Sequence, residues 1–268
     1  MPQPIALQPS DILVDVGDAA IAVVTINRAK RRNALTRAMW RELTRIVEQL
    51  GDDPDVRAIV LTGAGGAFCA GADISEFPAV RATVEDGRAY EEAVDNVHLA
   101  LQASPKPTIA TVSGPCYGGG VALALSCDFR VADATAYFAI PAARLSNVYG
   151  VVETRALYDA VGLAAAKEVL FTGRRYDASE AYRIGLATHM ASDGEALAAG
   201  LAFARAMGKS APLTIKGAKV VLQAIARSTT EARADDIHRV MDAAIASDDY
   251  KEGVAAFAAK RDPVFKGS

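Results

Sequence analysis

The stretch Ser113-Gly-Pro-Cys-Tyr-Gly-Gly-Gly-Val-Ala-Leu-Ala-Leu-Ser-Cys-Asp128 decides how we read the chain. It follows a short apolar run at 108–112 that is typical of a β-strand, and its second half predicts a helix from about Gly119. Three consecutive glycines let the backbone approach closely, and N–H groups in the first turn of a helix lack intrahelical partners. Such a turn suits an anion or a developing oxyanion. A tight connection made for packing alone would use the same residues.

A second glycine-rich loop, Gly63 to Glu76, follows the apolar run Ala58-Ile-Val-Leu-Thr62. A Gly-x-Gly pattern after a strand suggests a dinucleotide site, but Phe68 and Cys69 stand where the helix should begin, so we reject that interpretation. The alternation of strands, loops and helices predicts right-handed βαβ units on a parallel sheet. Both loops should then leave the carboxyl ends of neighbouring strands, where open α/β sheets bind ligands.

Elements elsewhere are predicted from hydrophobic spacing and capping residues. Thr36 is the expected N-cap of the first long helix, and Trp40 is expected to belong to the core. The C-terminal part of the chain is almost entirely helical in pattern, with Asp193 and either Thr229 or Thr230 as expected N-caps.

Composition limits the classes of function. The 268 residues carry a net charge of −3 and 51% hydrophobic residues, which is ordinary for a globular enzyme and gives no footprint for nucleic acid. No apolar run is long enough for a membrane span, and the N-terminus lacks signal-peptide features, so we expect a cytoplasmic protein. Cys69, Cys116 and Cys127 are expected to be small buried residues, and their spacing predicts no metal site.

A basic loop, Asn27-Arg-Ala-Lys-Arg-Arg-Asn-Ala-Leu35, carries four cations within five residues. Basic runs are usually solvated surface. This run leads directly into a helix, so a phosphate-bearing ligand remains open as an alternative.

Short segments along nearly the whole chain resemble the crotonase (enoyl-CoA hydratase/isomerase) superfamily in order and spacing. The resemblance implies an α/β fold: a crotonase-like spiral of ββα units at residues 1–200, with a C-terminal helical trimerisation region at 201–268. It also implies a homotrimer or a hexamer. The matching segments are Asn27–Leu35, Phe68–Ile74, Gly114–Gly120 with Cys127–Asp128, Phe171–Gly173, Ala178–Ala181, Gly185–Leu186 and Ala256–Arg261.

The same resemblance implies an acyl-CoA substrate, with coenzyme A as part of that substrate and no permanently bound cofactor. The thioester carbonyl would lie in an oxyanion hole formed by the N–H groups of Ala72 and Gly119. Phe257 and Lys260 would reach the CoA of a neighbouring subunit. The resemblance assigns CoA binding to Arg28, Lys30, Arg31, Ala34, Ala70, Ala72, Asp73, Ile74, Gly119, Phe257 and Lys260.

Two alanines depart from the family pattern. Hydratases of the superfamily carry glutamates where this chain has Ala122 and Ala142, so ordinary hydration should be slow or absent. Tyr149 and Glu153 are the candidate replacements because they lie four residues apart on one helical face.

Other interpretations of these two residues remain open. Tyr149 could equally be a pocket wall, and Glu153 a surface or intersubunit charge. The alternatives to a hydratase-like enzyme are decarboxylation of a malonyl-type CoA using Tyr149, and a non-catalytic acyl-CoA-binding protein.

Overall fold

The computed structural model describes residues 8, 10–17 and 20–268. It confirms the predicted α/β class, with one six-stranded sheet and one three-stranded sheet surrounded by helices. The strands are β1 (Ile12–Val16), β2 (Ile21–Ile26), β3 (Ala58–Gly63), β4 (Thr108–Val112), β5 (Pro115–Tyr117), β6 (Phe129–Asp133), β7 (Tyr137–Ala139), β8 (Tyr176–Asp177) and β9 (His189–Ala191). The α-helices are α1 (Arg37–Asp52), α2 (Phe77–Val80), α3 (Val84–Ala103), α4 (Gly119–Ser126), α5 (Val151–Thr172), α6 (Ala178–Ile184), α7 (Ala196–Gly208), α8 (Pro212–Ala226), α9 (Ala234–Ala246) and α10 (Asp248–Ala258).

The larger sheet has the order β1-β2-β3-β4-β6-β9. Its first two strands form an antiparallel hairpin, and every later pair in the sheet is parallel. Strands β3 and β4 are neighbours, so the loops that follow them leave the same edge of the sheet, as predicted. In the smaller sheet, β7 pairs with β5 in parallel and with β8 in antiparallel fashion.

Both faces of the larger sheet are buried at its central strands β3 and β4. Ile59 and Leu61 belong to the main core, whereas Ala58 and Val60 belong to a second cluster on the other face, as the two-residue period of a strand requires. Helix α7 covers that second face and contributes Ala204 to it. The boundary expected at residue 200 therefore falls inside a helix that packs on the sheet.

Helix α1 begins as predicted, because the Thr36 hydroxyl accepts a hydrogen bond from the N–H of Met39 at 3.3 Å. The predicted caps of the later helices are wrong: α7 begins after Glu195, and α9 after Arg233. The turn at Gly194, where φ is +74°, separates Asp193 from α7. The Thr229 hydroxyl instead donates to the carbonyl of Ala224, and so helps to end α8.

Candidate active site

A cavity of about 910 Å³ lies where the loops after β3 and β4 meet α3 and the start of α5. The four candidate catalytic residues, Ala72, Gly119, Tyr149 and Glu153, all line it. The fold thus brings together residues that are up to 81 positions apart in the chain (153 − 72).

Three segments of the chain are joined by backbone hydrogen bonds to form one wall of this cavity. Isolated parallel bridges join Leu35 to Ala72, and Cys69 to Cys116. The side-chain amide of Asn33 reinforces the wall by donating to the carbonyls of Ala64 and Ala67, at 2.9 and 2.6 Å. The basic loop, the Gly63–Glu76 loop and β5 are therefore joined into one hydrogen-bonded unit.

The two predicted oxyanion donors lie in this wall. Leu35 donates to the Gly71 carbonyl and accepts from the Asp73 N–H, both at 2.8 Å, so the Ala72 N–H between them points away from Leu35. Gly119 is the first residue of α4, where a backbone N–H has no intrahelical acceptor.

Gly71, which precedes Ala72, packs directly against Gly119. A Cβ at Gly71 would lie 2.9 Å from the Gly119 nitrogen, and the φ of Gly71 is +85°, so only glycine fits there without strain. The two candidate donors are therefore held on adjoining segments of one wall. Preorganised backbone N–H groups of this kind stabilise a developing oxyanion.

No carboxylate stands at the two positions where hydratases of the superfamily carry glutamate. Ala122 is buried within α4, and Ala142 lies in the turn Ala142–Leu145 and lines the cavity. A methyl group neither accepts nor delivers a proton. Acid–base chemistry in this cavity has to come from other side chains.

Glu153 is such a side chain, and its interpretation as a surface charge is wrong. Only 5% of the residue is exposed, because α5 packs against α3 and α4. Its Oε2 accepts a hydrogen bond from the N–H of Gly150 at 2.9 Å. Burial, and then the negative charges of Glu91 and Asp95, raise the pKa of Glu153 to about 7, although the Gly150 N–H and Arg81 act to lower it. Both protonation states are therefore accessible near neutral pH.

Tyr149 presents its hydroxyl beside Gly118, the first residue of the glycine triplet. A Cβ at Gly118 would lie 3.7 Å from that oxygen, which is buried and has no hydrogen-bond partner in the described part of the chain. Burial, followed by the charge of Glu153, raises the pKa of Tyr149 well above its ordinary value. The phenol therefore stays protonated at neutral pH and can act as a hydrogen-bond or proton donor.

The other end of the cavity is aromatic and contains one ion pair. The Arg81 guanidinium donates to Glu91 Oε1 at 2.7 Å and packs over the rings of Phe77 and Tyr90. Trp40, predicted as core, is buried and also lines the cavity, where its Nε1–H donates to the Tyr90 hydroxyl at 3.1 Å. Apolar spacing located Trp40, but nothing in the sequence indicated that Arg81 and Glu91 would meet here.

Among the predicted CoA-binding residues, seven line the cavity: Arg31, Ala34, Ala70, Ala72, Asp73, Ile74 and Gly119.

Arg28 and Lys30 are placed differently. Arg28 ties two loops together by donating to the Ala34 carbonyl at 2.6 Å and to Asp73 at 3.1 Å. Burial alone would raise the pKa of Asp73, but hydrogen bonds from Ser75 and Arg28 outweigh burial and lower it. Lys30 is exposed on the turn Ala29–Arg31.

Phe257 and Lys260 belong to the C-terminal helical region. Phe257 is 88% exposed and lines a separate cavity of about 400 Å³ between α8, α9 and α10, while Lys260 follows the end of α10. Within one chain, the structure does not bring these two residues to the cavity that holds Glu153.

The three cysteines are buried, as predicted. Burial raises the pKa of Cys69 and of Cys127 to about 12, so neither thiol is a nucleophile at neutral pH.

Across the described residues, no group of three His, Cys, Asp or Glu side chains is arranged to hold a metal ion. Within those same residues, every helix is too short or too polar to cross a bilayer.

Comparison with known proteins identifies the family. The sequence pattern described as enoyl-CoA hydratase/isomerase matches residues 17–268. A short-chain-enoyl-CoA hydratase from Clostridium acetobutylicum is 33% identical, over 91% of this chain and 93% of its own length.

Two solved structures agree with this match and with the predicted crotonase-like fold. An enoyl-CoA hydratase/carnitine racemase from Magnetospirillum magneticum has a TM-score of 0.87 at 37% identity, and covers 96% of this chain and 98% of its own. An enoyl-CoA hydratase from Bacillus anthracis has a TM-score of 0.89 at 29% identity, and covers 96% of this chain and 100% of its own. The chain therefore belongs to the enoyl-CoA hydratase/isomerase family, the superfamily that its motifs resemble.

Proposed function

We propose that this protein acts on acyl-CoA thioesters and forms a thioester enolate held by the N–H groups of Ala72 and Gly119. Glu153 moves the proton at the carbon next to the thioester carbonyl, the Cα of the acyl group. The proposal is supported by the family membership. The observation that carries it is the buried Glu153 carboxyl, with its pKa of about 7, in the same cavity as the two backbone donors.

The chemistry follows from the balance of charge. When ionised Glu153 takes a proton from Cα, the electron pair of that C–H bond moves onto the carbonyl oxygen. Two preorganised N–H groups stabilise the resulting oxyanion, and losing one such donor typically costs about 3–4 kcal/mol. A carboxyl whose pKa lies near the working pH serves well as both base and acid.

One carboxyl can remove a proton and return it at another carbon, as an isomerase requires. Hydration also needs a group to activate water, and the protonated phenol of Tyr149 can donate but cannot accept that proton. We therefore expect proton transfer at Cα to be efficient and addition of water to be slow.

Coenzyme A is a covalent part of the proposed thioester substrate, so no permanently bound cofactor is needed. We propose that the Ala70–Ile74 backbone and the exposed Arg31 lie along the CoA portion.

We also propose a homotrimer or hexamer in the cytoplasm, in which Phe257 and Lys260 reach the CoA bound by a neighbouring subunit. The exposed apolar side chains of α8 and α9, including Leu222, Ile225 and Ile245, support such an assembly. Light scattering after gel filtration would measure its mass.

A second candidate function is decarboxylation of a malonyl-type CoA, favoured by the Tyr149 hydroxyl beside Gly118, which has no hydrogen-bond partner among the described residues. The bond from Cα to the carboxylate would break, CO₂ would leave, and its bonding electrons would form the same enolate. Tyr149 would then deliver the proton to Cα. This route needs the oxyanion donors but no carboxylate base.

Two assays separate these functions. Loss of conjugated-thioester absorbance from crotonyl-CoA measures hydration, and CO₂ release from methylmalonyl-CoA measures decarboxylation. CO₂ release that falls in Tyr149→Phe but persists in Glu153→Gln would favour the second candidate. Tight acyl-CoA binding without turnover or exchange of the Cα proton would overturn both and leave a binding protein.

A further inference from the structure

His98 is a fully buried titratable group next to the candidate catalytic carboxyl. It lies on α3 with 0% exposure, and its ring centroid is 6.0 Å from that of Trp40. Its Nδ1 is 3.0 Å from the Ser126 hydroxyl on α4. Its Nε2 is 3.9 Å from Glu153 Oε1 and has no hydrogen-bond partner among the described residues. A buried imidazole nitrogen without a partner needs an explanation.

The Ser126 hydroxyl lies between two acceptors at the same distance. It is 3.0 Å from the Ala122 carbonyl, one helical turn earlier, and 3.0 Å from His98 Nδ1. The hydroxyl has a single hydrogen. If that hydrogen goes to Ala122, the hydroxyl accepts from Nδ1–H, and Nε2 presents a lone pair to Glu153. If it goes to Nδ1, the ring carries its hydrogen on Nε2 and presents a donor to Glu153.

We propose that His98, supported by Ser126, is a positioning residue for Glu153. Its Nε2 can form a hydrogen bond with either the protonated or the ionised carboxyl. Closure of the 3.9 Å separation to hydrogen-bond distance lets Nε2 accept from the carboxylic acid in one tautomer and donate to the carboxylate in the other. The Gly150 N–H holds the opposite oxygen, so the carboxyl keeps one orientation while it gains and loses a proton. This inference rests on the proposed function, because it assigns the partner of the proton-carrying carboxyl.

The charges around the pair favour the state in which His98 is neutral and the titrating proton is carried by Glu153. Glu91 and Asp95 from α3, and Tyr149 from the turn before α5, face the site as acidic groups, while Arg81 is the opposing cation. Burial lowers the pKa of His98 to about 3, so the ring stays neutral near pH 7. The carboxylate at 3.9 Å does not reverse this direction, because two separated charges cost more than a neutral pair in a buried site.

Histidine-selective ¹⁵N labelling tests the contact without any turnover, since the chain has three histidines. We expect the His98 ring nitrogens to stay neutral from about pH 5 to 9 and to show a chemical-shift step with a midpoint near 7, set by Glu153. That step should vanish in Glu153→Gln. His189 and His238 provide internal references in the same spectra. A His98 signal that is flat across this range, or a step that survives in Glu153→Gln, would overturn the proposal.

Kinetics of His98→Phe then separate the positioning role from general packing. Phenylalanine keeps a buried ring but removes both the acceptor and the donor. We expect kcat/KM to fall about 2- to 10-fold with little movement of the Glu153 limb of its pH profile, because the carboxylic acid loses its acceptor and the carboxylate loses its donor. His98→Gln, which can still donate and accept, should restore part of the rate. A His98→Gln variant that is no faster than His98→Phe would contradict the proposal.

The two proposals fail in different ways. If the NMR step is present but Glu153→Gln keeps full turnover, the contact stands and the proposed function fails. If Glu153→Gln is inactive while the His98 signal is flat, the proposed function stands and the positioning role is overturned.

Discussion

The carbonyl oxygen of Cys69 lies 2.3 Å from the position that a Cβ would take at Gly120. The Gly63–Glu76 loop and the start of α4 therefore touch backbone to backbone, which accounts for a glycine at position 120. The contact also fixes the distance between the segments that carry the Ala72 and Gly119 N–H groups.

Gly120→Ala should separate these two segments. The added methyl group would meet backbone rather than a flexible side chain, so we expect a loss of about 1–3 kcal/mol in the free energy of unfolding. Acyl-CoA turnover should fall as well, because the oxyanion donors move apart. Urea denaturation and steady-state kinetics measure the two effects.

Gly87→Ala is the matched control, because a Cβ there meets nothing within 4 Å and the residue lies inside α3. We expect it to be neutral, or to stabilise the fold by up to about 1 kcal/mol. Equal effects of the two substitutions would show that the contact between Cys69 and Gly120 is unimportant.

Glu153 should make stability depend on pH in a definite direction. Its pKa rises from an ordinary 4.5 to about 7 on folding, so between these values the folded state binds more protons than the unfolded state. This contribution is complete below about pH 4.5 and is lost as pH rises through 7. The rise in pKa corresponds to about 3 kcal/mol.

Glu153→Gln removes this titration. Relative to the variant, the wild-type protein should therefore lose up to about 3 kcal/mol between pH 5 and 8 in urea titrations. Exposed Glu48, replaced by Gln, provides a surface control for the loss of one carboxylate. A wild-type protein that gains stability relative to Glu153→Gln over this range would show that the carboxyl is not buried as described.

Tyr90→Phe should destabilise the wall of the cavity. The change removes the acceptor of the Trp40 indole N–H, and leaves that donor buried without a partner. We expect a loss of about 1–3 kcal/mol in thermal or urea unfolding. Tyr182→Phe, at a residue that is 53% exposed, should change stability by less than about 0.5 kcal/mol. A Tyr90→Phe protein as stable as this control would contradict the described hydrogen bond.

The two cations of the basic loop should differ in their effect on binding. Arg31 lines the cavity, whereas Lys30 lies outside the cavity lining on the exposed turn. Arg31→Ala should raise KM for an acyl-CoA about 2- to 5-fold with little change in kcat, because an exposed ion pair is worth up to about 1 kcal/mol. Lys30→Ala should change KM less. Added salt should reduce the difference, and a larger effect for Lys30 would place the phosphates elsewhere.

The backbone of the site was predictable from the sequence because its signals are local. Glycine runs after apolar strands located both loops, and the order of motifs assigned Ala72 and Gly119 to one site. Two of the capping positions were wrong, since a turn at Gly194 and the bond from Thr229 to Ala224 depend on geometry that spacing does not record.

The acid–base groups were less predictable because their properties depend on long-range packing. The prediction that Glu153 and Tyr149 share one helical face is wrong, because α5 begins at Val151 and Tyr149 precedes it, although both residues line the cavity. The burial of the Glu153 carboxyl arises where α5 meets α3 and α4. The sequence indicated only a solvated or structural role for His98, because its neighbours Ser126 and Glu153 lie 28 and 55 residues away (126 − 98 and 153 − 98).

Exchange of the Cα hydrogens of a saturated acyl-CoA in D₂O tests the central claim most directly, because it reports enolate formation whatever the final reaction is. Mass spectrometry of butyryl-CoA incubated with the wild-type protein should show deuterium entering at Cα. Glu153→Gln should exchange about 10²–10⁴-fold more slowly, and Tyr149→Phe should retain most of the rate. Exchange by Glu153→Gln at the wild-type rate would contradict the assignment of Glu153 as the group that moves the proton.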